Sequence, residues 1–213
     1  MTDFAEAAHA TRYEAVMFDL LTALIDSWSL WNDIAASPED GLAWRRKYLE
    51  LTYGCGIYRA YEDIVRDAAL AAGFPGHWAD DLAARQGELK PWPEAQGVLA
   101  ALGQKVPLGI ATNCSRALGA VAVSRTGIDF AAVVTAEDAG YYKPRPEPYR
   151  AVLEKLGTDP KKTLFVAGSA SDVPGAKGVG MTVYWHNRIG LRPVDGVRPE
   201  YVADSLEPLL RLV

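Results

Sequence analysis

Five short apolar runs, at residues 15–18, 108–111, 133–135, 163–167 and 182–185, constrain this chain more than any other feature. Helical patterns separate the later ones, at about 116–125, 148–156 and 173–178. Runs of this length suit strands covered on both faces, and their alternation with helices predicts βαβ units in a parallel sheet. Residues from about 28 to 90 break the pattern. They hold no convincing strand and four helical stretches, at about 28–36, 40–53, 59–72 and 77–88. Ala-Ala-Gly-Phe-Pro-Gly at 71–76 separates the third stretch from the fourth, and Pro91-Trp92-Pro93 ends the set, because proline cannot continue a helix. The expectation is an α/β fold: a parallel-sheet core from residues 12–25 plus 94–213, with a helical cap of residues 26–93 inserted after the first strand. At 213 residues the chain is long enough for both.

Such a sheet binds ligands at the carboxyl ends of its strands, and the chain's reactive side chains collect there. Asp19 ends the first run. Two places on, where many hydrolases with such a segment carry a second acid, stands Leu21. A lone carboxylate among apolar neighbours reads as a nucleophile; the competing reading is a strand-end Asp capping a helix. Thr112-Asn113 offers a hydroxyl, an amide and backbone N–H groups at a helix start, which suit a carboxylate ligand or simple N-capping. Lys143, in a loop between a strand and a helix, can reach the same rim and keep a carboxylate ionised, or can stand as a solvated charge. Asp172, in Gly168-Ser169-Ala170-Ser171-Asp172, follows another strand; as a bare first-turn acid it would only favour the helix dipole.

In the inserted segment, Arg45 shares a helical face with Tyr48, Leu49 and Thr52. An arginine there grips a carboxylate or a leaving anion, or pairs at the surface with an acid such as Glu50. Tyr149 either orients the Lys143 loop or is a half-buried core tyrosine. His9, His77 and His186 have neither triad nor metal-ligand spacing, and the six tryptophans read as packing.

Composition narrows the partners. With 22 basic and 27 acidic residues the net charge is −5, no footprint for nucleic acid or an anionic membrane surface. Two cysteines, Cys55 and Cys114, make no disulfide framework, so a cytoplasmic setting is expected. Met1 to Thr11 carries Asp3 and Glu6 and no apolar stretch of a secretory signal, and no apolar run is long enough to span a bilayer.

In this order, the segment at Asp19, the Thr112-Asn113 strand end, the Lys143-Pro144 loop and the Gly168-to-Asp172 segment resemble the four motifs of the haloacid dehalogenase superfamily. Trp44-Arg45-Arg46-Lys47-Tyr48-Leu49-Glu50 and Trp185-His186-Asn187-Arg188 are most similar to the L-2-haloacid dehalogenases. The resemblance implies a Rossmann-like core, an α-helical cap, a homodimer, and a hydrolase that uses no metal or cofactor. It implies that Asp19 attacks the α-carbon of a small 2-substituted carboxylate with inversion, and that water then hydrolyses the aspartyl ester. Lys143 and Asp172 would assist that second step. Arg45 would meet the halide side, and Thr112, Asn113 and the backbone N–H groups of Leu20 and Leu21 would hold the carboxylate. Tyr149 falls on the family's tyrosine after the loop lysine, and Ser169 stands in its last motif.

The departures are Leu21 in place of Tyr, Thr22-Ala23 in place of Gly-Thr, and Ala167 and Ser169 in place of Ser and Asn. Opening of L-azetidine-2-carboxylate at the same carbon, with an amine leaving, fits the same pattern. A phosphatase of the superfamily would need an acid where Leu21 stands, and Mg²⁺ held partly where Ser169 replaces an acid. A catalytically inactive binding homologue would have no use for Asp19, Lys143, Asp172 and Arg45 together.

Overall fold

The computed structural model describes residues 13–194 and 196–213; the readings of Met1 to Thr11, including His9, lie outside them. Six parallel strands form one sheet in the order β3-β2-β1-β4-β5-β6. They are β1 (Ala15–Phe18), β2 (Leu108–Thr112), β3 (Ala132–Thr135), β4 (Thr163–Ala167), β5 (Thr182–His186) and β6 (Tyr201–Ala203). The five apolar runs are the first five strands, with small shifts at three boundaries. β6 was not expected: it has three residues, lies at the sheet edge and exposes Val202, so no apolar run marks it.

β1, β2 and β4 are buried along their whole length. Because side chains alternate across a strand, β1 feeds two apolar cores: Val16 and Phe18 join one and Met17 the other. The first core is covered by α5 (Ala95–Gly103) and α6 (Arg116–Thr126), through Val98, Leu99, Leu102, Leu118 and Ala122. The second is covered by α8 (Pro146–Leu156) and α9 (Asp172–Gly178), through Tyr149, Val152, Leu153, Val173 and Ala176. Burying one such side chain contributes roughly 1.5–3 kcal/mol, so the central strands are the most firmly held part of the sheet. α5 and the one-turn α7 (Ala136–Ala139) escaped the sequence reading. α5 carries two glycines and no side-chain cap, and α7 is only four residues long.

Between β1 and α5 lie α1 (Ser27–Ile34), α2 (Pro38–Gly54), α3 (Tyr61–Ala71) and α4 (Trp78–Ala84). Ser37 caps α2 and Pro38 opens it. The fourth helical stretch is shorter than expected: α4 ends at Ala84 and a separate 3₁₀ turn spans Gln86–Glu88. Aromatic rings in tilted contact bind these helices together, with the Trp44 ring centre 4.2 Å from that of Trp31 and 5.4 Å from that of Trp78. The chain enters and leaves them through one antiparallel crossing: Asp26 N–H donates to Lys90 O (2.8 Å) and Trp92 N–H to Leu24 O (2.9 Å), around the Ile25–Pro91 bridge. Among the described residues no helix is long and apolar enough to cross a membrane.

Candidate active site

β1, β2 and β4 run parallel, so their carboxyl ends converge, and the loop before α8 reaches the same rim. There Asp19, Lys143 and Asp172 form one buried cluster. Lys143 Nζ lies 2.8 Å from Asp19 Oδ1 and 3.1 Å from Asp172 Oδ1. All three are at most 5 % exposed. Burial alone would raise the Asp19 carboxyl, but the Lys143 ammonium and the Thr22 donors outweigh it and hold it below its usual range. Burial would likewise neutralise Lys143, yet the two carboxylates keep it charged and raise it. Asp172 differs: burial, aided by the Asp19 charge, outweighs Lys143 and pushes it up to about 6.

The two Asp19 oxygens have different surroundings. Oδ2 accepts three hydrogen bonds, from Thr22 N–H (2.9 Å), Thr22 Oγ1 (2.6 Å) and Ala23 N–H (3.2 Å). Oδ1 accepts from Lys143 and retains lone-pair capacity. The threonine hydroxyl beside Asp19 is therefore present, supplied by residue 22. Gly168 makes this turn possible: a Cβ built there would lie 2.2 Å from Ala23 N and 2.4 Å from Thr22 Oγ1.

Leu21, Arg45, Asn113, Lys143, Ser169 and Asp172 line one small cavity with Thr22, Trp31, Tyr48 and Tyr61. It has about 40 Å³ of water-accessible space. Arg45 is buried, with its guanidinium 4.1 Å from the centre of the Trp28 ring and 5.1 Å from that of Trp31. Its Nη1 has no hydrogen-bond partner among the described residues. The surface-pair alternative is corrected, because Glu50 pairs with Lys47 at 2.6 Å. Trp28 and Trp31, read as packing, also form the wall on which this cation rests.

Other expectations change. Thr112 is fully buried, with its hydroxyl 3.7 Å from Cys114 Sγ; like Asp19 and the Leu20 side chain, it lies outside the cavity lining. Nor does Thr112-Asn113 cap α6: Ser115 does, its hydroxyl accepting from Leu118 N–H. Asn113 reaches the rim, but its side chain clamps the Lys143 backbone. Oδ1 accepts from Lys143 N–H (2.7 Å) and Nδ2 donates to Lys143 O (3.0 Å). Tyr149 is fully buried rather than half-buried, and its hydroxyl donates to Asp172 O (3.4 Å), so it supports the start of α9. Sequence reasoning named Thr22 only as a departure from the family pattern and gave it no place in the site, although a donor three residues after an aspartate is the pattern of a local carboxylate turn. It also passed over Tyr61 and Trp28, whose orientation nothing in the sequence reveals.

This arrangement can deliver a carboxylate oxygen to carbon, hold an anion at Arg45, and draw a proton to Asp172. Asp172 works as a base only when ionised, so turnover is expected to fall on the acid side with an apparent pKa near 6. A pH profile of kcat that stays flat down to pH ~4.5 would remove Asp172 from that role.

The chain has extensive similarity to known proteins. A family model described as haloacid dehalogenase-like hydrolase matches residues 7–180. The haloacetate dehalogenase H-2 of Moraxella sp. (strain B) is 29% identical, over 95% of this chain and 98% of that protein. The (S)-2-haloacid dehalogenase of Xanthobacter autotrophicus is 30% identical, over 92% of this chain and 82% of its own length. A solved structure of L-2-haloacid dehalogenase from Xanthobacter autotrophicus superposes with a TM-score of 0.82 at 26% identity, covering 94% of this chain and 98% of that one.

Proposed function

Because this chain belongs to the haloacid dehalogenase-like hydrolases, we propose that it hydrolyses the carbon–halogen bond of a small 2-halocarboxylate through an ester on Asp19. The observation that carries the proposal is the asymmetry of Asp19: one oxygen is fixed by three donors, and the other faces Lys143 with lone-pair capacity left. Oδ1 attacks the α-carbon from the side opposite the halogen. The carbon–halogen bond breaks and the halide leaves with its electron pair. Water then adds to Asp19 Cγ while Asp172 takes one of its protons. The acyl–oxygen bond breaks, Asp172 passes that proton to the departing alkoxide to give the 2-hydroxy acid, and Asp19 loses the water's second proton to solvent and is restored as a carboxylate. Lys143 orients the Asp19 carboxylate for the first step and stays paired with Asp172 through the second. Among the described residues, no hydrogen bond takes up the Leu20 or Leu21 N–H, and these groups are the ones we assign to the substrate carboxylate.

Arg45 favours a halide over a ring amine as leaving group. A buried guanidinium with an unused N–H stabilises a departing anion and repels an ammonium group. Phosphoryl transfer fits the residues poorly. Leu21 offers no proton to a leaving phosphate oxygen, and the Lys143 ammonium stands between the two carboxylates that would have to hold Mg²⁺.

The test is oxygen transfer. With enzyme in excess over L-2-chloropropionate in H₂¹⁸O, the first turnover is expected to give unlabelled lactate, its new oxygen coming from Asp19. Solvent label in that first product would mean direct attack by water and would sink the ester mechanism. L-azetidine-2-carboxylate, run in parallel, reports the amine-leaving alternative. Arg45→Met is expected to lower kcat on L-2-chloropropionate by roughly 10²–10³, the loss typical of one stabilising donor to a developing anion.

A further inference from the structure

The nucleophile turn is gripped from behind by two residues remote in sequence. Trp92 stands at the crossing where the chain leaves the inserted helices, and its indole N–H donates to Thr22 O at 3.1 Å. That carbonyl belongs to the same peptide unit as the Ala23 N–H, which donates to Asp19 Oδ2 at 3.2 Å. The indole hydrogen bond therefore both fixes and polarises the peptide that fixes the carboxylate. His186, the last residue of β5, is fully buried, and its Nδ1 lies 2.8 Å from Ala23 O. A carbonyl only accepts, so Nδ1 carries the proton. Burial lowers the imidazole's pKa, which keeps the ring in this neutral, donating form.

The two rings meet edge to face at 6.0 Å, and the Arg188 guanidinium lies 5.0 Å from the centre of the Trp92 ring. Arg188 is itself tied to Glu94 at 3.0 Å. The clamp is thus braced on its far side. In front, Gly168 lets the turn close against β4 without meeting a side chain.

We infer that Trp92 and His186 are positioning residues: they hold the Thr22–Ala23 turn from behind so that its three donors converge on one oxygen of Asp19. Both act through the turn, without touching the cavity. The inference rests on Asp19 being the nucleophile of the proposed reaction.

The test compares Trp92→Phe, His186→Leu and His186→Asn. Phenylalanine keeps the ring packing and removes the N–H; asparagine restores a donor near the Nδ1 position, and leucine does not. Trp92→Phe and His186→Leu are expected to lower kcat on L-2-chloropropionate about tenfold or more, with KM within about twofold. His186→Asn is expected to recover most of the loss. Hydrogen exchange of the Ala23 amide, followed by NMR without substrate, is expected to quicken in Trp92→Phe and His186→Leu and to return toward the parent rate in His186→Asn.

A Trp92→Phe protein that is folded, with parent kcat and parent Ala23 exchange, would overturn the inference. So would equal losses in His186→Asn and His186→Leu, which would mark a packing role. If the parent chain does not turn over L-2-chloropropionate while Ala23 exchange follows the expected pattern, the clamp stands and the proposed function falls.

Discussion

Asp19→Asn is expected to abolish turnover, by roughly 10⁴-fold or more, because removing a nucleophile forfeits the covalent route as a whole. The same substitution reads the local geometry. An asparagine has one acceptor oxygen, whereas Asp19 faces three donors on one side and an ammonium on the other. Whichever way the amide turns, an NH₂ group confronts a donor. A loss of about 1–3 kcal/mol in folding stability should accompany the lost activity. Denaturant unfolding and the absence of any ester mass on the peptide bearing residue 19 would check both parts. An Asp19→Asn protein retaining full activity would end the case for this nucleophile.

Lys143→Met is expected to have the largest effect on stability. It leaves Asp19 and Asp172 buried and adjacent with their shared cation gone. Breaking a buried ion pair from one side costs about 3–5 kcal/mol, and two carboxylates depend on this one. The pH dependence has a definite sign. In the variant, burial and mutual repulsion raise the folded-state carboxyl pKa values above those of the unfolded chain. The folded state then binds more protons, so its deficit should be largest near pH ~8 and shrink as the pH falls toward the unfolded carboxyl range near ~4. Urea unfolding at several pH values measures this directly. A variant as stable as the parent at pH ~8 would contradict the electrostatic reading of the cluster.

The parts of the site legible in the sequence share one physical origin. Asp19 and Asp172 follow apolar runs and Lys143 sits in the loop before a helix, and a parallel sheet brings its strand ends together whatever the loops do. Apolar runs and helical periodicity are properties of the chain, readable without coordinates. Side-chain direction is not. Thr112 occupied the right strand end but faces Cys114 and lies outside the cavity, while Asn113 spends its amide on the Lys143 backbone. Arg45 was readable as a candidate, but its burial between tryptophans depended on how α1 and α2 pack. Trp92 and His186 lie 70 and 163 residues from the turn atoms they bind, too far for any local pattern to record. β6 and α5 failed for a simpler reason, since an exposed three-residue edge strand and a glycine-bearing uncapped helix leave weak traces.

The close seating of the Thr22–Ala23 turn on Gly168 bears on how this chain can diverge. A Cβ at that position would fall 2.2–2.4 Å from Ala23 N, Thr22 C and Thr22 Oγ1, so even alanine requires the turn to be rebuilt first. Two of those three atoms are backbone, so no exchange at residues 22 or 23 makes room by itself. The side chains of Leu21, Ser169 and Ser171 line the cavity, so exchanging one of them changes the shape offered to a substrate and leaves the turn in place. Descendants of this protein would then explore substrates by altering the walls of the cavity, while its floor passes from one to the next unaltered.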